Sequence, residues 1–171
     1  MPTQRERTLL AALRQNLALL QELAIRYETG SLSTSPKVDL PLICHPGDAA
    51  LLLRTEMEGL AQEQLRVLLL DTRNRVIGHH LVYQGNVSSI TIRPAEVFRE
   101  ALLANAPKIL IAHNHPSGDA EPSPEDVRVT GQLLQGAQLL GIELLDHLVI
   151  GRGTEVSLRG RGLPGGGLWS N

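Results

Sequence analysis

Aromatic side chains and cysteine are both scarce in this chain of 171 residues. Phenylalanine, tryptophan and tyrosine make up 2% of the residues, so the core has to be built from leucine, valine, isoleucine and alanine. Proteins that stack on single-stranded nucleic acid use exposed aromatic rings as platforms, so this is not expected to be the main activity. With Cys44 as the single cysteine, an internal disulfide framework and a cysteine-rich zinc cluster are excluded.

The chain also lacks an excess of positive charge. It has 16 lysines and arginines against 18 aspartates and glutamates, a formal net charge of -2. No overall basic field would therefore attract a phosphate backbone, so nucleic acid is a partner that the charge does not support. The sequence has no N-terminal stretch typical of a signal peptide and no apolar run near the ~20 residues of a membrane span. We therefore expect a cytoplasmic protein without a membrane partner.

Residues 1–36 are predicted to form an N-terminal amphipathic helix and a linker. Between residues 4 and 29, apolar side chains recur every three or four positions and would share one helix face. Gly30 suits the end of this helix, and the serines and prolines of residues 31–41 are typical of a linker. The apolar face would pack on the following domain or on a second copy of the chain, which would make a homo-oligomer.

Residues 37–165 are predicted to form one α/β (α+β) domain. The apolar run 65–71 is typical of a central strand, and residues 76–84 would return beside it as a hairpin. Because the first strands form a hairpin, we expect a mixed sheet flanked by helices and not a doubly wound parallel sheet. A further apolar strand is predicted at residues 108–112. Residues 166–171, after a glycine-rich stretch, are expected to form a flexible tail.

A helix start follows in the second half of the domain. Ser123 is placed as the N-cap, Pro124 at the first helical position and Asp126 at the third. This helix is expected to run to about residue 140. Strands are then predicted at residues 142–150 and 154–158.

Two histidines, His113 and His115, follow the predicted strand at residues 108–112. Alternate residues of an extended segment point to the same side, so the two imidazoles can project together. Asp126 would supply a third ligand from the start of the next helix. Two imidazoles and one carboxylate suit Zn²⁺ with a water in the fourth position. Such an ion lowers the pKa of its bound water to about 7, which favours hydrolysis at neutral pH.

Asp126 and Ser123 can also be explained by the start of the helix, without any metal. Asp126 suits the positive end of a helix dipole without any metal, and Asp119 and Glu121 are alternative acids in the same loop. Ser123 is accounted for as a simple N-cap. The contiguous letters His-Asn-His do not make an HNH nuclease motif, because the residues of that motif are dispersed.

Three separated segments resemble the RadC-like JAB family, which carries the JAMM metalloprotease signature H-x-H-P…S-x-x-D. The segments are residues 68–77, residues 113–119 and residues 145–151. The signature is matched in order by His113, His115, Pro116, Ser123 and Asp126. The resemblance covers about residues 45–165. It implies the JAB/MPN fold, a sheet flanked by helices, with zinc at its edge held by the two histidines and the aspartate.

The resemblance also implies an upstream glutamate that accepts a proton from zinc-bound water. Glu63 is the leading candidate because it lies just before the first strand, with Glu56 and Glu58 as alternatives and a solvated acid as the simpler explanation. Ser123 matches the family serine that helps to stabilise a tetrahedral intermediate, although the N-cap role competes for the same hydroxyl. His147 would orient a ligand from behind or would be a hydrogen-bonded core histidine.

The leading hypothesis is a zinc-dependent hydrolase of the JAMM type that attacks a peptide or isopeptide amide bond of a protein or peptide substrate. The alternative is a DNA-repair-associated nucleic-acid-binding or interaction module with a structural or vestigial metal site. Members of the family usually carry an N-terminal helix-hairpin-helix region of DNA-binding type. Residues 4–29 predict one helix without a Gly-x-Gly hairpin, which weighs against this alternative.

Overall fold

The computed structural model describes residues 41–85, 92–164 and 169. In this part of the chain, five strands form one sheet and three helices accompany it. The strands are β1 (Glu63–Leu70), β2 (Val76–Gly85), β3 (Lys108–Asn114), β4 (Glu143–Ile150) and β5 (Glu155–Ser157). The helices are α1 (Pro46–Met57), α2 (Pro94–Leu103) and α3 (Pro124–Leu140). The predicted mixed α/β fold with flanking helices is confirmed.

Several predictions for the chain termini concern other residues. The predicted helix at residues 4–29 and its linker lie outside the described residues, as does most of the predicted tail at 166–171. Among the described helices, none combines the length and the apolar content that a membrane crossing requires.

The sheet has the strand order β2-β1-β3-β4-β5. β1 runs antiparallel to both β2 and β3, and β5 runs antiparallel to β4. β3 and β4 are parallel, because the chain crosses between them through α3. The β1–β2 hairpin is closed by Asp71, whose carboxylate accepts hydrogen bonds from the backbone N–H groups of Arg73 and Arg75 at 2.8 and 2.9 Å.

Each face of the sheet buries its own apolar core. Along β3, Ile109 and Ile111 face the core that contains the buried side chains of α2 and α3. Leu110 and Ala112 face the opposite core, which contains the buried side chains of α1. Because alternate residues share a face, His113 continues the row of Ile109 and Ile111 and lies on the side covered by α3.

Trp169 packs against the domain beyond β5. Its indole N–H donates a hydrogen bond of 3.0 Å to the carbonyl of Leu163. The guanidinium carbon of Arg159 lies 5.9 Å from the ring centroid, within the range of a cation–π contact. The ring is partly buried against the apolar core on the α2 and α3 side. Trp169 therefore has polar contacts with residues that also follow β5, and apolar contacts with the core.

Candidate metal centre

The two histidines lie at the carboxyl end of β3. The strand continues through Asn114, two residues further than predicted, so His113 lies within it and not beyond it. The backbone N–H of His115 donates to the carbonyl of Ile150 at 3.0 Å, which extends the parallel pairing with β4 past the strand end. The extended backbone brings the two imidazoles together, and their Nε2 atoms lie 3.0 Å apart.

Asp126 reaches the histidines from the first turn of α3. Ser123 caps this helix: its hydroxyl oxygen accepts from the backbone N–H of Asp126 at 3.2 Å. In return, the Asp126 carboxylate accepts from the Ser123 N–H at 2.7 Å and from its hydroxyl at 2.6 Å. The predicted helix start is therefore confirmed. This reciprocal pair holds Asp126 Oδ1 3.2 Å from His113 Nε2 and Oδ2 3.5 Å from His115 Nε2.

Glu63 is the first residue of β1. The antiparallel register pairs Leu65 with His113, so Glu63 lies just past that pair, near the end of β3. Its Oε1 atom lies 3.9 Å from His113 Nε2, and its side chain is 13% exposed. Each of Glu63, His113, His115 and Asp126 offers a ligand atom, and these four atoms lie within 4.8 Å of one another.

The alternative acids have other partners. Glu56 forms an ion pair with Arg66. Glu58 accepts a hydrogen bond from the backbone N–H of Gly153 at 2.9 Å. Asp119 accepts from the backbone of Glu121 at 3.0 Å within its loop. All of these acids lie among the described residues, and only Glu63 and Asp126 form a cluster with the two histidines.

The three predicted ligands lie close enough together to share one metal ion, and their donor atoms are of the kinds that zinc accepts. Zinc binds imidazole nitrogen and carboxylate oxygen at about 2.0–2.2 Å, which places tetrahedral ligand atoms roughly 3.3–3.6 Å apart. Here the two histidine Nε2 atoms lie 3.0 Å apart. Asp126 Oδ1 lies 3.2 Å from His113 Nε2, and Asp126 Oδ2 lies 3.5 Å from His115 Nε2. The Nδ1 atom of His115 lies 2.8 Å from the carbonyl oxygen of Asp119, which can only accept a hydrogen bond. Neutral His115 therefore carries its proton on Nδ1 and a lone pair on Nε2, facing the cluster.

The charges of the cluster favour a cation. Burial alone would raise the pKa of Asp126, but the neighbouring His113 and His115 imidazoles hold that pKa well below the ordinary value. The hydrogen bond with the Asp126 carboxylate raises the pKa of His115. Asp126 is therefore ionised at neutral pH. Because metal ligands must be deprotonated, an ion that binds here would displace any proton held by His115.

Comparison with known proteins agrees with this geometry. Residues 43–163 match the family model of the RadC-like JAB domain. The chain belongs to this family. The family predicted from the three sequence segments is confirmed, and the five-stranded sheet with its helices is consistent with a JAB-like fold.

The JAB domain is also similar to curated bacterial proteins. It is 57% identical over 118 residues to a UPF0758 protein of Chloroflexus aggregans, covering 69% of this chain and 52% of that protein. A UPF0758 protein of Roseiflexus castenholzii is 52% identical over 118 residues, with 69% and 51% covered. One from Shouchella clausii is 43% identical over 142 residues, with 82% and 62% covered. The chain spans about half the length of the first two relatives, and none of the three names describes a reaction.

Behind His113, the JAB domain contains a buried row of hydrogen-bonding groups. His113 Nδ1 lies 2.8 Å from His147 Nε2, and His147 Nδ1 lies 2.6 Å from the Thr130 hydroxyl. That hydroxyl donates to the backbone carbonyl of Asp126 at 2.6 Å. Burial lowers the pKa of His147 well below its ordinary value, so its ring is neutral. His147 therefore has both predicted features: it lies in the core and is hydrogen-bonded to a predicted ligand.

Thr130 was missed by sequence reasoning. The one available signal was its position four residues after Asp126, which places both residues on the same face of α3.

Asn114, another residue that sequence reasoning missed, holds the chain on either side of Glu63. Its side-chain oxygen accepts from the backbone N–H of Gln64 at 2.8 Å, and its amide nitrogen donates to the carbonyl of Gln62 at 3.2 Å. Strand alternation turns Asn114 away from His113, so it cannot join the cluster itself. Its position between the two histidines carried no signal for this role.

The loop after His115 rests on the turn between β4 and β5. The carbonyl of Gly118 accepts from the backbone N–H of Arg152 at 2.8 Å. A Cβ atom on Gly151 would lie 2.6 Å from the Gly118 oxygen and 2.8 Å from the Ala120 nitrogen. A residue without a side chain is therefore needed at position 151 for this close approach.

Proposed function

We propose that this JAB domain is a zinc-dependent hydrolase of the JAMM type that cleaves a peptide or isopeptide amide bond. The observation that carries the proposal is the convergence of Glu63, His113, His115 and Asp126 on one point. They come from the start of β1, the end of β3 and the start of α3. The RadC-like JAB fold and this cluster support a metal-dependent hydrolase.

His113, His115 and Asp126 would hold the ion. When bound, zinc would supply an activated water and a Lewis acid for the substrate carbonyl oxygen. Two nitrogens and one oxygen are the kind of donor set that catalytic zinc sites use when a fourth position stays open. The side chains of His113 and Asp126 are nearly buried, whereas those of His115 and Glu63 are 18% and 13% exposed. Substrate would therefore approach from the side of His115 and Glu63.

Glu63 would act as the general base and then as the general acid. Its carboxylate belongs to the cluster but lies farther from His113 Nε2 than Asp126 does, at 3.9 against 3.2 Å. This position suits a group that serves the reacting water more than one that serves as a fourth ligand. We assign it the removal of a proton from the attacking water and the delivery of that proton to the departing amine nitrogen.

Ser123 would donate a hydrogen bond to the oxyanion that forms at the substrate carbonyl. In the structure its hydroxyl donates to Asp126 Oδ2 and accepts from the Asp126 N–H. The oxyanion role therefore requires the hydroxyl proton to turn away from Asp126 when substrate binds. The cap bond from the Asp126 N–H can persist, because it uses a lone pair of the hydroxyl oxygen and not its proton.

The proposal is tested by metal content together with turnover. The purified chain of 171 residues is expected to contain about one zinc per molecule. His113→Ala and Asp126→Ala are expected to lose it, as measured by inductively coupled plasma mass spectrometry. Glu63→Gln should keep the zinc but lose turnover by about 10²–10⁴-fold on a panel of fluorogenic peptide and isopeptide substrates.

Glu58→Gln is the matched control for Glu63→Gln. It changes an acid that lies just before β1 but is bonded to Gly153 and outside the cluster, so both zinc and turnover should persist. Full zinc occupancy in His113→Ala or Asp126→Ala would show that the ligand set is wrong. An active Glu63→Gln enzyme would remove Glu63 from the role of base.

A further inference from the structure

We propose that His147 and Thr130 are positioning residues that set the tautomer of His113, so that its Nε2 atom presents a lone pair to the metal. This inference rests on the proposed zinc site, because it names what prepares one ligand of that site. The relay consists of four groups: the Asp126 carbonyl, the Thr130 hydroxyl, and the His147 and His113 imidazoles.

The donor and acceptor of each hydrogen bond in the relay follow from the one group whose role is fixed, the Asp126 carbonyl. A backbone carbonyl can only accept, so the Thr130 hydroxyl proton points to the Asp126 oxygen at 2.6 Å. The Thr130 oxygen then accepts from the neighbouring ring, 2.6 Å away, which places the proton of neutral His147 on Nδ1. His147 Nε2 is therefore an acceptor. Its partner at 2.8 Å, His113 Nδ1, has to be the donor.

This order leaves the His113 proton on the nitrogen that faces away from the cluster. His113 Nε2 is the atom 3.2 Å from Asp126 Oδ1 and 3.0 Å from His115 Nε2. In this tautomer it carries a lone pair, as a metal ligand must. The opposite tautomer would direct an N–H group at the position of the ion.

Among the described residues, His147 is the hydrogen-bond partner of His113 Nδ1, and burial protects this contact from water. Thr130, His147 and His113 are 0%, 1% and 1% exposed, so solvent cannot replace a missing partner. The tautomer of His115 is fixed differently, by a single hydrogen bond from its Nδ1 atom to the Asp119 carbonyl in a more exposed loop. The relay also joins two ligands to each other, since it begins at the backbone of Asp126 and ends at the ring of His113.

The decisive variant is Thr130→Val, which removes the hydroxyl and keeps a branched side chain. The Asp126 carbonyl retains its helical hydrogen bond, but His147 Nδ1–H loses its acceptor. Its proton is then better placed on Nε2, where it donates to His113 Nδ1 and sends the His113 proton to Nε2. Two-bond ¹⁵N–¹H correlation spectra of metal-free protein should show Nδ1–H on His113 in the wild type and Nε2–H in Thr130→Val.

Zinc affinity gives the second measurement. In competition with a chromophoric chelator, Thr130→Val should bind zinc about 10–100-fold more weakly than the wild type, as expected for loss of a partner behind a ligand. Thr130→Ser keeps the hydroxyl and should restore both the tautomer and the affinity. Thr55→Val is the matched control. Thr55 also bonds back to its own helix, through the Leu52 carbonyl at 3.3 Å, but it lies outside the relay and should change neither result.

The outcomes separate this inference from the proposed function. If the metal-free wild type shows His113 protonated on Nε2, or if folded Thr130→Val keeps the wild-type tautomer, the relay is overturned even when zinc binds. If the wild type shows the expected tautomer but binds no zinc, the relay stands and the zinc proposal fails. The wild-type spectrum alone decides the tautomer if Thr130→Val does not fold.

Discussion

Asn114 shows how much of this site depends on residues that never touch it. Its side chain bonds the peptide groups on both sides of Glu63, through the Gln64 N–H and the Gln62 carbonyl. The regular pairing of β1 with β3 begins at Leu65, so the Asn114 amide extends the alignment to the residues where backbone pairing has not yet started. The position of Glu63 over the histidines is therefore secured by a side chain from the neighbouring strand.

We predict that Asn114→Ala lowers the free energy of unfolding by about 1–3 kcal/mol, because it leaves the buried Gln64 N–H without a partner and removes the donor to the Gln62 carbonyl. Urea unfolding monitored by circular dichroism measures the change. Gln84→Ala is the control: Gln84 bonds the side chain of Gln62 from an exposed position and should cost less than about 0.5 kcal/mol. Equal costs for the two variants would show that Asn114 does not hold the start of β1.

The site residues differed in how far the sequence could predict them. His113 and His115 were predictable because strand alternation is a local property, and Asp126 because a helix start is one as well. Glu63 required the register of β1 on β3, which the pattern of apolar residues does not specify, so Glu56 and Glu58 stayed open. Thr130 was missed because its role depends on a partner from β4, at a distance that no local pattern encodes.

At the level of elements, the loop that carries His115 depends on the turn between β4 and β5. Gly118 in this loop has φ of 86°, a conformation that favours glycine, and its carbonyl accepts from Arg152. Gly151 lets the turn approach closely enough for this bond. The same loop supplies the Asp119 carbonyl, which fixes the tautomer of His115 by accepting a hydrogen bond from its Nδ1 atom. One glycine in the turn therefore influences a predicted ligand in another segment.

We predict that Gly151→Ala destabilises the domain by about 1–3 kcal/mol, because the new methyl group would overlap the Gly118 and Ala120 backbone. Displacement of the loop should also weaken zinc binding by roughly tenfold, the lower range for loss of support behind a ligand. Thermal unfolding and chelator competition measure the two effects.

Gly131→Ala serves as the control for this prediction. A Cβ atom at position 131 would lie 3.6 Å from the Pro164 side chain, an ordinary van der Waals distance. Position 131 is inside α3, where alanine is favoured over glycine by about 0.5–1 kcal/mol. A Gly151→Ala protein as stable as Gly131→Ala would contradict the proposed close approach.

The elements themselves were largely predictable. The hairpin of β1 and β2 and the course of α3 from Ser123 to about residue 140 follow from apolar periodicity and from serine and proline at a helix start. The end of β3 was predicted too early, because His113 and Asn114 are polar and do not continue the apolar run. They remain in the strand because backbone pairing with β4 continues as far as the His115 N–H.

At the scale of the whole molecule, the cluster joins parts of the fold that are far apart in the chain. Glu63 begins β1, His113 and His115 lie at the end of β3, and Asp126 lies in the first turn of α3. The four groups therefore meet only when the sheet and the helix are packed together. An ion held by these residues would bind the folded chain and not the unfolded one. Zinc is therefore expected to stabilise the entire domain and not only its immediate ligands.

We predict that zinc at 100 times its dissociation constant stabilises the folded chain by about 2.7 kcal/mol relative to chelator-treated protein. For a chain of this size, that corresponds to a rise in Tm of roughly 5–10 °C, measured by differential scanning calorimetry. Asp126→Ala, which removes one ligand, should show almost no zinc-dependent shift. A similar shift in both proteins would mean that zinc acts elsewhere on the chain.

Trp169 has a practical consequence. It is the single tryptophan of the chain, and it lies between the Leu163 carbonyl, the Arg159 guanidinium and the apolar core. Its emission spectrum is therefore an intrinsic optical reporter of whether the polypeptide following β5 remains docked. A red shift without loss of circular dichroism would reveal detachment of this segment while the sheet stays intact, and no added dye would be needed to see it.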